Sequence, residues 1–297
     1  MDLIFLGTGA GGGVPVFYCG CKVCREAIRD SRFCRTRCSV VLSGNENLLF
    51  DCPPEISRQL LREKISTIDH LFVTHTHHDH TAGLGDLAIY VRFFKGGRLP
   101  AVMSAETLRE LKRQIGEVED WLEVKCISPG ENVKVNEVMV TALAVSHGPG
   151  TFGYLIEADG AKTAYIPDTG PLPNETMQCL VGVDRLILDS TFFGENWYPE
   201  EHLSISEAIA IGRELDVGRL YLTHLSMHYS KPVTNKELDA YLRDKELDVY
   251  LDGFAGAVSI AYDGLRIDVS QIEKRGFGRV PGLDGKTTKS HTMQTVT

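Results

Sequence analysis

His75-Thr76-His77-His78-Asp79-His80 follows directly on the apolar run Leu71-Phe72-Val73. A strand that runs into a short turn splays such side chains around one point. His75, His77, Asp79 and His80 then offer three imidazoles and a carboxylate, a donor set that suits borderline cations such as zinc or manganese. A merely solvated histidine-rich turn would need neither this alternation nor partners elsewhere in the chain. Three such partners exist. His147 follows the run Val138 to Val145, Asp168 follows Thr163-Ala164-Tyr165-Ile166-Pro167, and His224 follows Leu220-Tyr221-Leu222-Thr223. Each stands just past the C-terminal end of an apolar strand, where α/β-type sheets gather their ligands. Taken singly, each reads as a hydrogen-bonded structural residue; their shared placement points to a metal centre.

The chain around this cluster has 297 residues, 43% hydrophobic and 24% charged, enough to bury a full core. The length permits two domains, but sheet-layered folds of this size commonly form one unit, and residues 1 to 270 show no linker. From about Gln271 onward Gly, Lys, Arg, Thr and Ser dominate and periodicity stops, so residues 271 to 297 read as a flexible, disordered tail. A formal net charge of −9 argues against wrapping nucleic acid by bulk electrostatics. No apolar run reaches the length of a membrane helix, and Met1-Asp2-Leu3 leads straight into a strand with no secretory n-region. A cytoplasmic location without a membrane partner is the expectation.

Strand-like runs recur from Leu3 to Leu6, Ser39 to Leu42, Leu48 to Phe50, His70 to Val73, Val138 to Val145, Phe152 to Ile156, Thr163 to Ile166 and Leu186 to Leu188. Later runs are Leu220 to Leu222, Val249 to Leu251, Val258 to Ala261 and Leu265 to Val269. Gly, Pro, Asn or Asp bound each of them. Asn136-Glu137 and Asp263-Gly264 read as hairpin turns. Helices come between. Ser204-Ile205-Ser206-Glu207 and Thr234-Asn235-Lys236-Glu237 are capping boxes, Ser104 caps a helix carrying Leu108, Leu111 and Ile115, and Glu55 to Glu63 is amphipathic. Two facing sheets with helices on their outer faces, an α+β arrangement, satisfy this pattern.

Cys19-Gly20-Cys21-Lys22-Val23-Cys24 places three thiols on a tight loop, the pattern of a structural zinc site in a cytosolic chain. Such a site wants a fourth ligand. His228 is one candidate, and Cys34 or Cys38 competes with it. Cys52, Cys126 and Cys179 stand alone and read as buried small hydrophobes. Arg35 and Arg37, just before the strand at Ser39, lie where they could reach a substrate phosphate or simply be solvated. The run Gly9 to Gly13 lacks the lysine of a nucleotide-binding P-loop and reads as a tight turn beside the cysteines.

In order and spacing, His75, His77, Asp79 and His80, followed by His147, Asp168 and His224, resemble the signature of the metallo-β-lactamase superfamily of hydrolases over roughly residues 1 to 270. The resemblance implies an αββα four-layer sandwich with two divalent metals between the sheets. It implies that His75, His77 and His147 hold one metal, that Asp79, His80 and His224 hold the other, and that Asp168 bridges them. Two such cations can ionise a shared water and clamp a developing oxyanion. The histidines leave net positive charge, which favours an anionic phosphodiester.

The cysteine loop and the opening Gly7-Thr8-Gly9-Ala10-Gly11-Gly12-Gly13-Val14-Pro15 narrow the resemblance to the PhnP-type phosphodiesterases of the carbon–phosphorus lyase pathway. That family implies a structural zinc on Cys19, Cys21, Cys24 and a histidine. Its zinc histidine stands three residues after the last active-site histidine, whereas His228 stands four after His224. The implied substrate is a small cyclic phosphodiester: 5-phosphoribosyl 1,2-cyclic phosphate, opened to ribose 1,5-bisphosphate, with 2′,3′-cyclic nucleotides also accepted. By the same resemblance His202 is the catalytic acid for the leaving alkoxide, Asp79 shares in proton handling, and the protein is a homodimer. Zinc and manganese both suit the dinuclear site.

Two other readings share the core. A tRNA 3′-end endonuclease usually carries a protruding arm and a more basic face, and no long Gly- and Lys-rich insertion stands between Thr81 and Leu203. A non-enzymatic accessory of the PqqB type shares the cysteine loop but tends to lose the histidine signature, which is intact here. Lactamase or lactonase activity fits less well, because a cysteine-zinc loop is not typical of those enzymes.

Overall fold

The computed structural model describes residues 1–244 and 254–270. The run Val249 to Leu251 and the tail from Gln271, both singled out in the sequence, lie outside the described residues. The first sheet holds β1 (Asp2–Gly7), β2 (Ser39–Ser43), β3 (Asn47–Phe50), β4 (His70–Phe72), β5 (Leu99–Met103) and β6 (Leu122–Cys126). The second holds β7 (Asn132–Val135), β8 (Val138–Ala144), β9 (Phe152–Ala158), β10 (Ala161–Ile166), β11 (Arg185–Asp189), β12 (Arg219–Thr223) and β13 (Val258–Ile260). The last strand, β14 (Arg266–Asp268), returns to the first sheet, giving the orders β14-β1-β2-β3-β4-β5-β6 and β13-β12-β11-β10-β9-β8-β7.

Both sheets are mixed in the same way. The pairs β3–β4, β4–β5 and β5–β6 are parallel, as are β10–β11, β11–β12 and β12–β13. The other pairs are antiparallel. Parallel strands deliver their C-terminal ends to one edge, so a site assembled from residues just past those ends is a consequence of topology.

The helices are α1 (Lys22–Arg29), α2 (Ile56–Glu63), α3 (His78–Thr81), α4 (Leu84–Tyr90), α5 (Ala105–Ile115), α6 (Asn174–Leu180), α7 (Ile205–Glu214) and α8 (Asn235–Leu242). Along β1 the odd residues Leu3 and Phe5 enter the core between the sheets, with Phe50, Phe72, Val140, Tyr154 and Tyr165. The even residues Ile4 and Leu6 pack outward, against Ile56 of α2, Leu84 and Leu87 of α4, and Leu111 of α5. On the other side Ala164, Ile166, Leu186 and Leu220 pack against Val23 of α1, Leu180 of α6, Ala208 of α7 and Leu238 of α8. Covered on both faces, the central strands are apolar throughout rather than alternating. The result is the four-layer αββα sandwich expected from the sequence.

Both capping boxes and the Ser104 cap form as read. Three strands went unread, each for a local reason. Pro100 interrupts β5 but is tolerated at its second residue, and β6 and β7 carry Glu123, Lys125 and Lys134 on the sheet edges, where charge blocks further pairing. Asn136-Glu137 does join a hairpin, pairing Val135 with Val138. Asp263-Gly264 does not. It carries the chain from β13 in one sheet to β14 in the other, anchored where Asp263 accepts from Thr8 Oγ1 and Thr36 N, both at 2.8 Å. Cys52 is buried as expected, but Cys126 and Cys179 are exposed, on β6 and α6. Cys24 belongs to the first turns of α1 rather than to a loop, its side chain buried with Val23 and Ala27.

Candidate metal centre

The site is built at the ends of β4, β8, β10 and β12 and the start of α3. His75 is buried, with Nδ1 3.0 Å from Thr74 Oγ1. The Thr74 hydroxyl is itself committed as a donor to Asp51 at 2.9 Å, so His75 Nδ1–H donates to it and Nε2 keeps the lone pair. His147 donates from Nδ1 to the Glu201 carbonyl at 2.9 Å, which leaves its Nε2 facing His77 Nδ1 at 3.2 Å. Ligand atoms of His75, His77 and His147 all lie within 4.8 Å of one another. Burial and the neighbouring imidazoles hold His75 well below the usual histidine pKa, and His77 is also lowered, so both rings stay neutral.

The second half of the site is anionic. His80 is fully buried, and its Nδ1 bonds Asp51 Oδ2 at 2.8 Å. Its Nε2 is 2.9 Å from Asp168 Oδ2 but out of line for a hydrogen bond. His224 Nε2 lies 3.3 Å from Asp168 Oδ1 and 3.4 Å from Asp79 Oδ2. Asp79, His80 and His224 form one group with ligand atoms within 4.8 Å, and His75, His80 and Asp168 form another. Asp168 thus stands between the two halves. Burial works against its charge, but His224 and His80 hold the carboxylate well below its usual range. Burial likewise opposes a charged His80, yet Asp168, Asp79 and Asp51 raise it well above the usual histidine value.

The chemistry of these donors fits a pair of divalent cations. His75 Nε2, His80 Nε2 and Asp168 Oδ2 are buried without a hydrogen-bond partner, and such groups are costly unless something else satisfies them. Two residues accept left-handed backbone to aim at the centre: Asp51 has φ 64° and His224 has φ 54°. Each such residue costs about 1–2 kcal/mol, a strain often found at functional sites.

Four supporting residues escaped the sequence reading. Asp51 accepts from Thr74 and His80, and Thr74 bonds His75. Asp189 matches it: its Oδ2 is 2.8 Å from His202 Nδ1, its Oδ1 accepts from the Thr191 hydroxyl at 2.7 Å, and Thr191 Oγ1 is 2.8 Å from His224 Nδ1. Both carboxylates stand at the end of an apolar strand, Leu48-Leu49-Phe50-Asp51 and Leu186-Ile187-Leu188-Asp189, the same signal that picked out Asp168. His202 lies 3.7 Å from Asp168, and its ring stacks on His224 with centroids 5.3 Å apart. Burial lowers the His202 pKa, but Asp189 outweighs it and raises the ring to about 9.

The cysteines assemble on the flank. Sulfurs of Cys19 and Cys24 and a ring nitrogen of His228 lie within 4.8 Å of one another, with Cys24 Sγ 3.4 Å from His228 Nδ1. Cys21 falls outside that mutual spacing; burial works against its thiolate, but the Cys24 backbone and the Cys19 side chain outweigh it and lower the thiol's pKa. Burial pushes the Cys24 thiol up to about 12. The competing ligands are spent elsewhere: Cys34 Sγ bonds the Ala27 carbonyl at 3.5 Å, and Cys38 Sγ is 3.4 Å from Thr223 Oγ1. The glycine run joins the two sites. A methyl group on Gly11 would lie 3.3 Å from Asp79 Oδ2, and one on Gly12 3.4 Å from His228 Nε2. Arg35 does not reach toward substrate. It is 2% exposed and donates to Thr8, Ala261, Asn235 and the Met227 sulfur. Arg37 donates to the Gly11 carbonyl and pairs with Glu55.

Comparison with known proteins agrees with this architecture. A solved diphosphatase of the PhnP family superposes with a TM-score of 0.76 at 27% identity, covering 90% of this chain and 97% of that one. Ribonuclease Z of Archaeoglobus fulgidus is 28% identical over 247 residues, 63% of this chain and 80% of that protein. Coenzyme PQQ synthesis protein B of Methylobacterium nodulans is 27% identical over 305 residues, 86% of this chain and 99% of that one. An octanoyltransferase of Porphyromonas gingivalis is 26% identical over 234 residues, 77% of this chain but 46% of that protein, so the chain spans less than half of that relative. Among the described residues no helix is long and apolar enough to cross a membrane. The family model described as a β-lactamase superfamily domain matches residues 46–225, from the turn before β3 to just past His224. With most of the chain inside that match and a sheet topology to go with it, the chain belongs to the β-lactamase superfamily and carries the metallo-β-lactamase fold.

Proposed function

We propose that the chain is a dinuclear-metal phosphodiesterase that opens a small cyclic phosphodiester of ribose in the cytoplasm. The first candidates are 5-phosphoribosyl 1,2-cyclic phosphate, within phosphonate degradation, and the 2′,3′-cyclic nucleotides. His75, His77 and His147 would hold one divalent ion, zinc or manganese, and Asp79, His80 and His224 the other, with the Asp168 carboxylate shared between them. When bound, the two cations supply the Lewis acidity that ionises water and offsets charge building on phosphoryl oxygens. His202, fixed through Nδ1 by Asp189, has its Nε2 left to protonate the departing ribose oxygen, and its raised pKa keeps it charged at neutral pH. Cys19, Cys21, Cys24 and His228 would hold a structural zinc.

The observation that carries this reading is the convergence of His75, His80 and Asp168, whose ligand atoms lie within 4.8 Å of one another with His75 Nε2, His80 Nε2 and Asp168 Oδ2 buried and lacking a hydrogen bond. The PhnP-family diphosphatase supports phosphate-ester chemistry over acyl chemistry. The ribonuclease Z relative favours a second reading, tRNA 3′-end processing, and the PQQ synthesis relative favours an accessory role without catalysis. A panel of cyclic and linear phosphodiesters, diphosphates and precursor tRNA, offered to metal-reconstituted protein, tests all three. Turnover of small cyclic esters above the other substrates is the expected result. Cleavage of precursor tRNA alone transfers the assignment to the second reading, and no turnover of any ester to the third.

A further inference from the structure

We propose that an aromatic shelf formed by Trp197, Tyr198 and Tyr229 beside the centre is a subsite for the nucleobase of a phosphate-bearing substrate. The proposal rests on the phosphodiesterase reading above and goes beyond it, selecting base-bearing over base-free ribose phosphates.

Trp197 is 49% exposed and Tyr198 59%, so these two consecutive rings present aromatic surface to solvent. The shelf reaches both flanks of the centre. Phe192, buried beneath it, has ring centroids 5.8 Å from Trp197, 6.3 Å from Tyr198 and 6.3 Å from His202. On the other flank Trp197 stacks on Tyr229 at 6.0 Å and 30°. A methyl on Gly12 would lie 3.0 Å from the Tyr229 hydroxyl, and the next residue back, Gly11, faces Asp79. The shelf is thus joined to His202 through the single ring of Phe192 and to the Asp79 side through Tyr229 and the glycine run.

The backbone segment that carries Trp197 and Tyr198 is also held in advance. Asn196 Nδ2 donates to the His202 carbonyl at 2.8 Å, Tyr198 N donates to Asn196 Oδ1 at 3.0 Å, and His202 N donates to the Tyr198 carbonyl at 2.9 Å. These bonds remove part of the ordering cost that a ligand would otherwise meet. Flat π faces edged by phenol hydroxyls and an indole N–H match a heteroaromatic ring, and base–aromatic stacking tolerates any base. A net charge of −9 points to a mononucleotide rather than a long polynucleotide.

The chain has two tryptophans, and Trp121 is 4% exposed, so quenching by a ligand reports chiefly on Trp197. In the full-length, metal-loaded protein, AMP is expected to quench and ribose 5-phosphate is not. The ratio of kcat/KM for 2′,3′-cyclic AMP over 5-phosphoribosyl 1,2-cyclic phosphate is expected to fall about tenfold or more in Trp197→Ala and to recover in Trp197→Phe. Equal quenching by both ligands, or a ratio that Trp197→Ala leaves unchanged, overturns the subsite. A ribo-hexanucleotide that binds more than about tenfold tighter than AMP overturns the mononucleotide assignment in favour of RNA. AMP-specific quenching without hydrolysis of either ester keeps the subsite and sinks the phosphodiesterase reading. Hydrolysis of both esters without AMP-specific quenching does the reverse.

Discussion

Asp189 Oδ2 lies 2.8 Å from His202 Nδ1, while its other oxygen accepts from Thr191, whose Oγ1 is 2.8 Å from His224 Nδ1. One buried carboxylate thereby orients the proposed proton donor and, through a hydroxyl, a proposed metal ligand. Asp51 repeats the device on the other side of the centre, bonding His80 directly and His75 through Thr74. Outer partners of this kind fix the tautomer and the direction of each imidazole.

Replacing Asp189 with Asn leaves the volume but turns an amide N–H₂ toward groups that already donate. Turnover in Asp189→Asn is expected to fall by about a hundredfold, within the range a general acid supplies. Metal content per chain, read by elemental analysis, should stay near that of the unaltered protein. Parallel loss of metal and activity would show that Asp189 acts on His224 rather than on His202.

His202→Ala is expected to keep its metals and lose about 10²–10⁴ in kcat. Combined with Asp189→Asn, it should be little worse than alone, because residues acting as one unit are not additive. Full turnover in the single variant removes His202 from the reaction.

What was legible in the chain depended on how local the signal was. The six-residue histidine cluster and the residues after β8, β10 and β12 could be seen because each sits where an apolar run stops. Asp51 and Asp189 carry the same mark, but their role exists only once Thr74 and Thr191 close the contacts through space. Asp263-Gly264 has the local chemistry of a hairpin, yet the crossing between sheets is settled by distant partners, Thr8 and Thr36. Edge strands such as β7 hide for a different reason. Their charges serve to block further pairing, so they dilute the apolar pattern that would reveal them.

At the cysteine site, Cys21→Ser is expected to lower Tm by roughly 5–10 °C and to remove one metal equivalent, leaving the two at the histidine centre. Cys34→Ser, whose hydroxyl can keep the bond to the Ala27 carbonyl, should leave the metal count unchanged and Tm nearly so. Elemental analysis that finds no third equivalent in intact protein rules out the structural zinc, and with it the destabilisation expected for Cys21→Ser.

Gly83 and Gly85 stand two residues apart and should respond in opposite directions. A methyl on Gly83 would lie 2.1 Å from the Pro53 carbonyl oxygen and 2.6 Å from Ile56 Cγ2, with backbone on one side and a core side chain on the other. That crowding is needed where it occurs. Gly83 N donates to Cys52 O at 2.9 Å, and Cys52 N donates to His80 O at 2.7 Å, so the close approach seats the histidine turn against the end of β3. Gly83→Ala is expected to cost about 1–3 kcal/mol and to weaken metal retention by shifting His80. Gly85 lies within α4 with nothing inside 4 Å of an added methyl. There the substitution only restricts the unfolded chain and favours helix, so Gly85→Ala should stabilise by about 0.5–1 kcal/mol. Denaturant melts of the two variants, each with metal content measured, decide the matter: equal midpoints would mean that the turn holding His80 is not under the constraint its contacts describe.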